Sequence, residues 1–318
     1  MSEFSLIRRY FSNLQTLSEG VALGIGDDGA VVEHRPDEQL VVATDTLVEG
    51  VHFPQGLTPE YIASRALGSN LSDLAAMGAE PRWFTLALTL PEEDANWLAS
   101  FSDGLAAMAR RYHCSLVGGD TTRGPLVVTI TVHGVAPKGQ ALTPSGARPG
   151  DKLFVSGLPG LAAAGLACLQ NRFTPGSGPL RDCAVARFTN PQPRLALGEQ
   201  LRGIASAAID VSDGLLADLN HICQRSGVGA ELDIAALEQM PWPASGNYRQ
   251  RLFDWALHGG DDYELCFAVP VEKLASLAEL DSDCEITEIG ECVAGGDIVA
   301  RDTDGVKTVM APRGFQHF

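Results

Sequence analysis

Six short stretches of this chain set aspartate beside glycine, serine or threonine. They are Gly24-Ile25-Gly26-Asp27-Asp28-Gly29-Ala30, Thr44-Asp45-Thr46, Ser72-Asp73, Gly118-Gly119-Asp120, Asp210-Val211-Ser212-Asp213 and Gly259-Gly260-Asp261-Asp262. Glycine lets a backbone turn tightly and approach a ligand closely. Adjacent carboxylates repel each other unless positive charge sits between them. Asp210 is the sharpest case: it follows the apolar run Ala207-Ala208-Ile209 and precedes Val211, where an unpaired carboxylate is costly to bury. The 23 Lys and Arg cannot neutralise all 40 Asp and Glu. The fold is therefore expected to gather these acids around metal ions. Hard oxygen donors select Mg²⁺, Ca²⁺ or Mn²⁺ over zinc, and several Mg²⁺ ions in one site point to a polyphosphate ligand.

Periodicity supplies the elements between these stretches. Phe4, Leu6, Ile7, Tyr10 and Phe11 suggest an N-terminal helix, and residues 40–45 a buried strand running into a polar turn. Glu49-Gly50-Val51-His52-Phe53 then brings an imidazole toward Asp45. Pro59 suits a first helical turn, Ile62, Ala66, Leu67, Leu71 and Leu74 form its apolar stripe, and Gly78 stops it. Asn70 and Asp73 share another face, either solvated or ligand-bearing. Alternation predicts a strand over 83–90; Trp97, Phe101, Leu105, Met108 and Tyr112 predict a helix; 126–135 predicts another strand, with 118–124 as a loop before it. The Gly- and Pro-rich stretch 136–150 is the domain junction, separating an N-terminal domain (1–136) from a C-terminal one (149–318). Beyond it, Gly157-Leu158-Pro159-Gly160 opens an alanine-rich helix. Its N-terminus suits a phosphate, and a close helix–sheet contact explains the glycines equally well. Residues 172–182 look like an exposed loop. A strand ends at Asp210, and Asp213 stands before a helix either as N-cap or as ligand. Residues 265–269 and 286–289 are further strands, and 298–311 a hairpin about Thr303-Asp304-Gly305.

Composition narrows the function. The 318 residues are 45% hydrophobic and 20% charged, as in a soluble globular protein, and no apolar run is long enough to span a membrane. The N-terminus lacks the basic-then-apolar order of a signal peptide. Seven dispersed cysteines without a CxxC read as buried thiols in a reducing cytoplasm. A net charge of −17 argues against nucleic acid but not against a phosphorylated small molecule held through cations. There is no GxxxxGK[ST] loop, no HRD or DFG, no HExxH, and no supported Ser-His-Asp or Cys-His arrangement, so no covalent nucleophile is indicated.

Six segments in order, GIGDDGAV (24–31), TDTLVEGVHF (44–53), NLSDLAAMGAEP (70–81), GGDTTRG (118–124), DVSDGL (210–215) and GGDDYEL (259–265), resemble the thiamine-monophosphate kinase family. The resemblance implies the aminoimidazole-ribonucleotide-synthetase-like (PurM-like) superfamily. Its fold is α/β (α+β) in two domains: an N-terminal mixed sheet that pairs in a homodimer, and a C-terminal α/β domain completing the active site. The implied reaction is phosphorylation of thiamine monophosphate by ATP, with several Mg²⁺ ions. Carried over by motif, Asp28, Thr44, Asp45, Asp73, Asp120, Asp210 and Asp213 hold metal. Asp45, Asp120 and Asp210 are the catalytic set. Gly119, Asp120, Ser212, Tyr112 and Arg148 meet ATP, while His52, Asp261 and Phe315 meet thiamine monophosphate.

Three positions depart from the family pattern. Ala43 stands where many relatives have Ser, Asp261 replaces the usual Glu, and Pro144 occupies the place of an Arg that meets ATP phosphates, leaving Arg148 as its candidate substitute. Two other readings stand beside this one. One is another ATP-using enzyme of the superfamily; selenophosphate synthetase, for one, should carry a reactive cysteine near the N-terminus, whereas the first here is Cys114. The other is a non-catalytic protein that binds metal or a phosphorylated ligand.

Overall fold

A computed structural model describes residues 3–14, 19–25, 29–243, 246–302 and 304–315, with the side chains of 3–5, 8 and 13 excepted. The chain divides into two compact units, Met1–Leu74 with Ala79–Gly139, and Ala75–Gly78 with Gln140–Phe318.

The first unit runs α1 (Glu3–Tyr10), the antiparallel ribbon β1 (Val21–Leu23) and β2 (Val31–Val32), then β3 (Glu38–Val48), α2 (Pro59–Ala76), β4 (Glu80–Leu90), α3 (Ala95–Arg111), β5 (Ser115–Arg123) and β6 (Val127–Pro137). Its main sheet has the order β3-β6-β4-β5. It is mixed: β6 is antiparallel to both neighbours and β5 is parallel to β4. Alternation in β6 decides the faces. Val128, Ile130 and Val132 are fully buried, while Thr129, Thr131 and His133 between them stay partly exposed. Each such aliphatic side chain contributes about 1.5–3 kcal/mol by leaving water.

Three expectations change here. Strand β3 does not end in a turn after Asp45 but continues to Val48, with eleven paired positions against β6 in all. Nor is it buried on both faces, since Leu40 and Val42 are exposed. The expected loop 118–124 is mostly strand, because β5 pairs with β4 from Ser115 to Arg123. Gly119 makes this possible: its φ is 154°, and a Cβ there would sit 1.9 Å from the Leu86 carbonyl oxygen. Helix α2 is buried on more than its apolar stripe. Ser69, Asn70 and Ser72 are within 2% of complete burial, and Ser69 and Asn70 donate back to the Ala66 carbonyl.

The second unit carries β7 (Lys152–Ser156), α4 (Leu161–Leu169), α5 (Pro179–Thr189), α6 (Leu195–Gln200), β8 (Ala207–Val211), α7 (Leu215–Ser226), β9 (Gly229–Asp233), α8 (Ile234–Glu238), α9 (Arg249–His258), β10 (Glu264–Val269), α10 (Leu274–Ala278), β11 (Ile286–Val293), β12 (Ile298–Arg301) and β13 (Lys307–Val309). Helix α5 begins inside the stretch 172–182 expected to be loop. Seven strands form one sheet in the order β13-β12-β9-β11-β7-β10-β8, antiparallel except between β9 and β12. Leu153 and Val155 of β7, Leu161 and Ala164 of α4, Leu215, Leu219 and Ile222 of α7, and Cys266 and Ala268 of β10 share one core. The hairpin β12–β13 lies where the sequence put it; Thr303 at its tip is outside the described residues. Among the described residues no helix is long and apolar enough to cross a membrane.

Candidate active site

Each unit presents its own set of the expected site residues. In the first, Asp45 lies on β3 and is held from α2: its backbone N–H donates to Asn70 Oδ1 at 3.0 Å, while Asn70 Nδ2 donates to the Ala66 carbonyl at 2.9 Å. Asn70 is thus a fully buried clamp rather than part of a solvated face. Asp73, nearly one turn further along α2, is half-buried. Thr44 faces the other side of the sheet, where its hydroxyl donates to Thr131 Oγ1 at 2.9 Å, next to a matching Thr46–Thr129 pair at 2.9 Å. Neighbours in a strand point to opposite faces, so Thr44 and Asp45 do not offer their side chains to the same ion.

Across the sheet, Asp45 pairs with Ile130, Ile130 with Leu86, and Leu86 with Gly119; Asp120 falls in the next row, opposite Ala87. Three strand spacings of about 4.8 Å put these edges about 14 Å apart along the sheet. Asp45 and Asp120 of one chain therefore stand on opposite edges, not side by side. Tyr112 caps the C-terminus of α3, with the Arg111 guanidinium 5.2 Å from its ring centre. It lies three residues before the start of β5, which carries Gly119 and Asp120 at its middle. His52 folds back onto β3: its Nδ1 accepts the Val48 N–H at 2.9 Å, and its carbonyl takes the Arg65 guanidinium at 3.2 Å. Accepting at Nδ1 leaves the ring proton on Nε2. Asp27 and Asp28 lie outside the described residues.

The second unit knits its residues through the backbone. Asp210 is buried at the end of β8, 8% exposed, as its apolar neighbours required. The N–H groups of Ser212, Asp213 and Gly214 all donate to Asp218 Oδ2, at 3.0, 3.0 and 3.2 Å. The carbonyls of the same turn face the other way. Val211 accepts from the Tyr263 N–H at 2.9 Å, Ser212 from Asp261 at 2.8 Å and Asp213 from Phe315 at 3.3 Å. Asp213 is therefore not the N-cap of α7. Gly214 holds that position without a side-chain bond, and the carboxylate that satisfies the turn's amides comes from inside the helix. Burial, and after it the neighbouring Asp210, push the Asp218 carboxyl up to about 8, against the pull of the backbone N–H groups. The sequence carries one signal for Asp218: an acid three residues after Leu215 and four before Ile222 falls on the buried face of that helix.

Asp261 and Tyr263 both take left-handed backbone angles, φ 67° and 53°, and the Tyr263 hydroxyl donates to Asp261 Oδ1 at 3.2 Å. Between them Asp262 turns inward and accepts the N–H groups of Gly160 and Ala162 at 2.7 and 3.2 Å. The N-terminus of α4, which by sequence suits either a phosphate or a close packing contact, is thus occupied by the protein's own carboxylate. Burial pushes Asp262 well above the usual carboxylate range, against those two N–H groups. Gly160 also lies against α9, where a Cβ would come within 2.7 Å of the Ala256 nitrogen. Arg148 is exposed at a turn, its backbone N–H bonded to Asp151 at 3.0 Å. Phe315 is 48% exposed.

The donors are hard oxygens throughout, which suits Mg²⁺ chemically. Among the described residues, however, no group of three or more His, Cys, Asp or Glu side chains is assembled to hold a metal ion.

This pair of units defines a protein of the AIR-synthase-related class: family models described as AIR synthase related protein match residues 26–136 (N-terminal domain) and 148–303 (C-terminal domain). The thiamine-monophosphate kinase of Escherichia coli strain K12 is 45% identical over 318 residues, 99% of this chain and 98% of its own. The crystal structure of thiamine-monophosphate kinase from Stenotrophomonas maltophilia K279a matches with a TM-score of 0.84 at 42% identity, over 97% of this chain and 98% of that one. AaThiL complexed with AMPPCP and TMP matches with a TM-score of 0.78 at 32% identity, over 92% of each chain. The chain belongs to the thiamine-monophosphate kinase family.

Proposed function

We propose that this chain passes the γ-phosphoryl group of ATP in line to the phosphate of thiamine monophosphate, releasing ADP and thiamine diphosphate. Besides family membership, the observation that carries this reading is the turn at Ser212, Asp213 and Gly214: the Ser212 and Asp213 carbonyls hold the N–H groups of Asp261 and Phe315, which ties the residues assigned to the nucleotide to those assigned to the acceptor. Direct transfer needs the two substrates fixed against each other, and such positioning is worth about 7–11 kcal/mol of the barrier. The acceptor phosphate is already an anion at neutral pH, so no general base is required.

Ser212 and Gly119 bind ATP, with Tyr112 and Arg148 as further contacts. His52 offers its Nε2 proton to thiamine monophosphate, Asp261 meets the cationic or amino part of thiamine, and Phe315 stacks on a ring. Mg²⁺ would be held as several separate ions by Asp28, Asp45, Asp73, Asp120, Asp210 and Asp213, with Thr44 beside them, and when bound it neutralises the polyphosphate. The protein works in the cytoplasm, a reading supported by its seven unpaired thiols. It works as a homodimer through its N-terminal sheets, a reading supported by the exposed Leu40 and Val42 on one sheet face.

The test is ATP consumption by the pure protein with thiamine monophosphate, thiamine or aminoimidazole precursors, each with and without Mg²⁺. ADP and thiamine diphosphate appearing together, only with the monophosphate and Mg²⁺, is the expected result. Turnover with a different acceptor would move the assignment to another enzyme of the superfamily. Saturable ATP binding without turnover would move it to a binding protein.

A further inference from the structure

We infer that Asp218 is a positioning residue that couples the nucleotide half of this site to the acceptor half, an inference that rests on the functional reading above. It touches neither substrate in that reading. Its carboxylate gathers the N–H groups of Ser212, Asp213 and Gly214 on one oxygen, and three consecutive amides converging on one acceptor fix the orientation of the peptide planes between them. The carbonyls of those planes then have only one direction left, and they point at the N–H groups of Tyr263, Asp261 and Phe315.

The packing allows no slack in this relay. Gly260 lies so close that a Cβ would come 2.3 Å from the Ser212 carbonyl oxygen, and a Cβ at Gly314 would come 2.7 Å from that of Asp213. Both glycines adjoin the acceptor-side residues Asp261 and Phe315. Asp218 itself is 3% exposed on the first turn of α7, beside Leu215 and Leu219 of the core, so its carboxylate is anchored by the helix and not by solvent. The turn thus transmits one position to both halves: move the amides, and the carbonyls that hold Asp261 and Phe315 move with them.

The test uses Asp218→Ala, Asp218→Asn and Asp218→Glu in the full chain. Two readouts are taken: backbone amide exchange by mass spectrometry, and KM for ATP and for thiamine monophosphate with kcat per folded enzyme. In Asp218→Ala, exchange should quicken about a hundredfold, both in peptides holding Ser212, Asp213 and Gly214 and in those holding Asp261 and Phe315, as the shared acceptor of three hydrogen bonds is lost. Both KM values should rise together by about tenfold. Asp218→Asn, which keeps an acceptor oxygen, should restore both KM values to within about threefold of wild type, a rescue that a purely structural defect would not show. If Asp218→Ala does not fold, Asp218→Glu takes its place, since it keeps the charge but displaces the acceptor by one methylene, and both KM values should still rise. Quickened exchange confined to the turn, one KM moving alone, or a fall in kcat with both KM values fixed would each overturn the coupling. The exchange measurement needs no substrate, so it judges this inference even if wild-type protein fails to use thiamine monophosphate.

Discussion

Replacing Arg194 with methionine should destabilise the second unit by several kcal/mol, by taking from the buried Glu264 carboxylate its main partner. Arg194 Nε and Nη2 donate to Glu264 Oε2 and Oε1, both at 2.6 Å, and the two side chains are 3% and 2% exposed. The Ser156 hydroxyl adds a bond of 2.6 Å, and the Arg187 guanidinium stands 3.6 Å away. Burial works against the charge on Arg194, but Glu264 more than offsets it and the Arg194 pKa is raised. Methionine fills a similar volume and donates nothing, so Glu264 would keep only Ser156 and the more distant Arg187. Removing one partner of a buried ion pair costs about 3–5 kcal/mol, and Arg187 in reserve sets the expectation near the low end, about 3 kcal/mol. For a unit of this size that is a fall in melting temperature of about 6–12 °C. Calorimetry and urea unfolding followed by circular dichroism would measure it. The double variant Arg194→Met/Glu264→Gln should recover about half the loss or more, because no charge is then left unpaired. A single-variant cost below about 1 kcal/mol, or a double variant no better than the single, would refute the reasoning. The pair bears on the site because Glu264 opens β10 directly after the left-handed residues Asp261 and Tyr263, so its anchorage fixes where that loop begins.

Other expectations follow from the same geometry. Asp45→Asn and Asp120→Asn should each lower turnover by about a hundredfold or more, the scale on which charge-stabilising groups act, with unfolding midpoints unchanged. Wild-type-like rates from either would remove the metal-binding reading. Phe315→Ala should raise KM for thiamine monophosphate several-fold while leaving that for ATP within about twofold, and equal shifts would count against stacking. Burial raises the thiols of Cys223 and Cys292 to about 11 and about 12, and those of Cys114 and Cys266 above the ordinary thiol range. The thiolate is the reactive form and becomes populated only as pH approaches these raised values. At pH 8 the native protein should therefore give its fastest thiol-reagent labelling at the half-exposed Cys183, with those four reacting only on unfolding; peptide mapping of the labelled protein checks this.

Much of this protein is written along the chain. Alternation at 83–90 and 126–135 marks β4 and β6, because residues two apart share a sheet face whatever lies across from them. The burial of Asp210 is legible from its neighbours, and the six acidic segments carry the family. What the sequence does not determine is what meets across long intervals. The stretch 118–124 reads as a loop, since glycine has no strand preference of its own; it becomes β5 because β4 offers it a pairing edge and Gly119 accepts the close approach. Asp262 reads as a ligand but is spent on α4, a hundred residues earlier in the chain, and Arg194 finds Glu264 only when β10 comes in beside β7. Asp218 reads as an ordinary helical acid until the turn before it folds over. Asp218 meets amides only four to six residues back; in the other cases the deciding partner is distant in sequence, and a buried charge or amide takes whichever partner the packed core brings within hydrogen-bond reach.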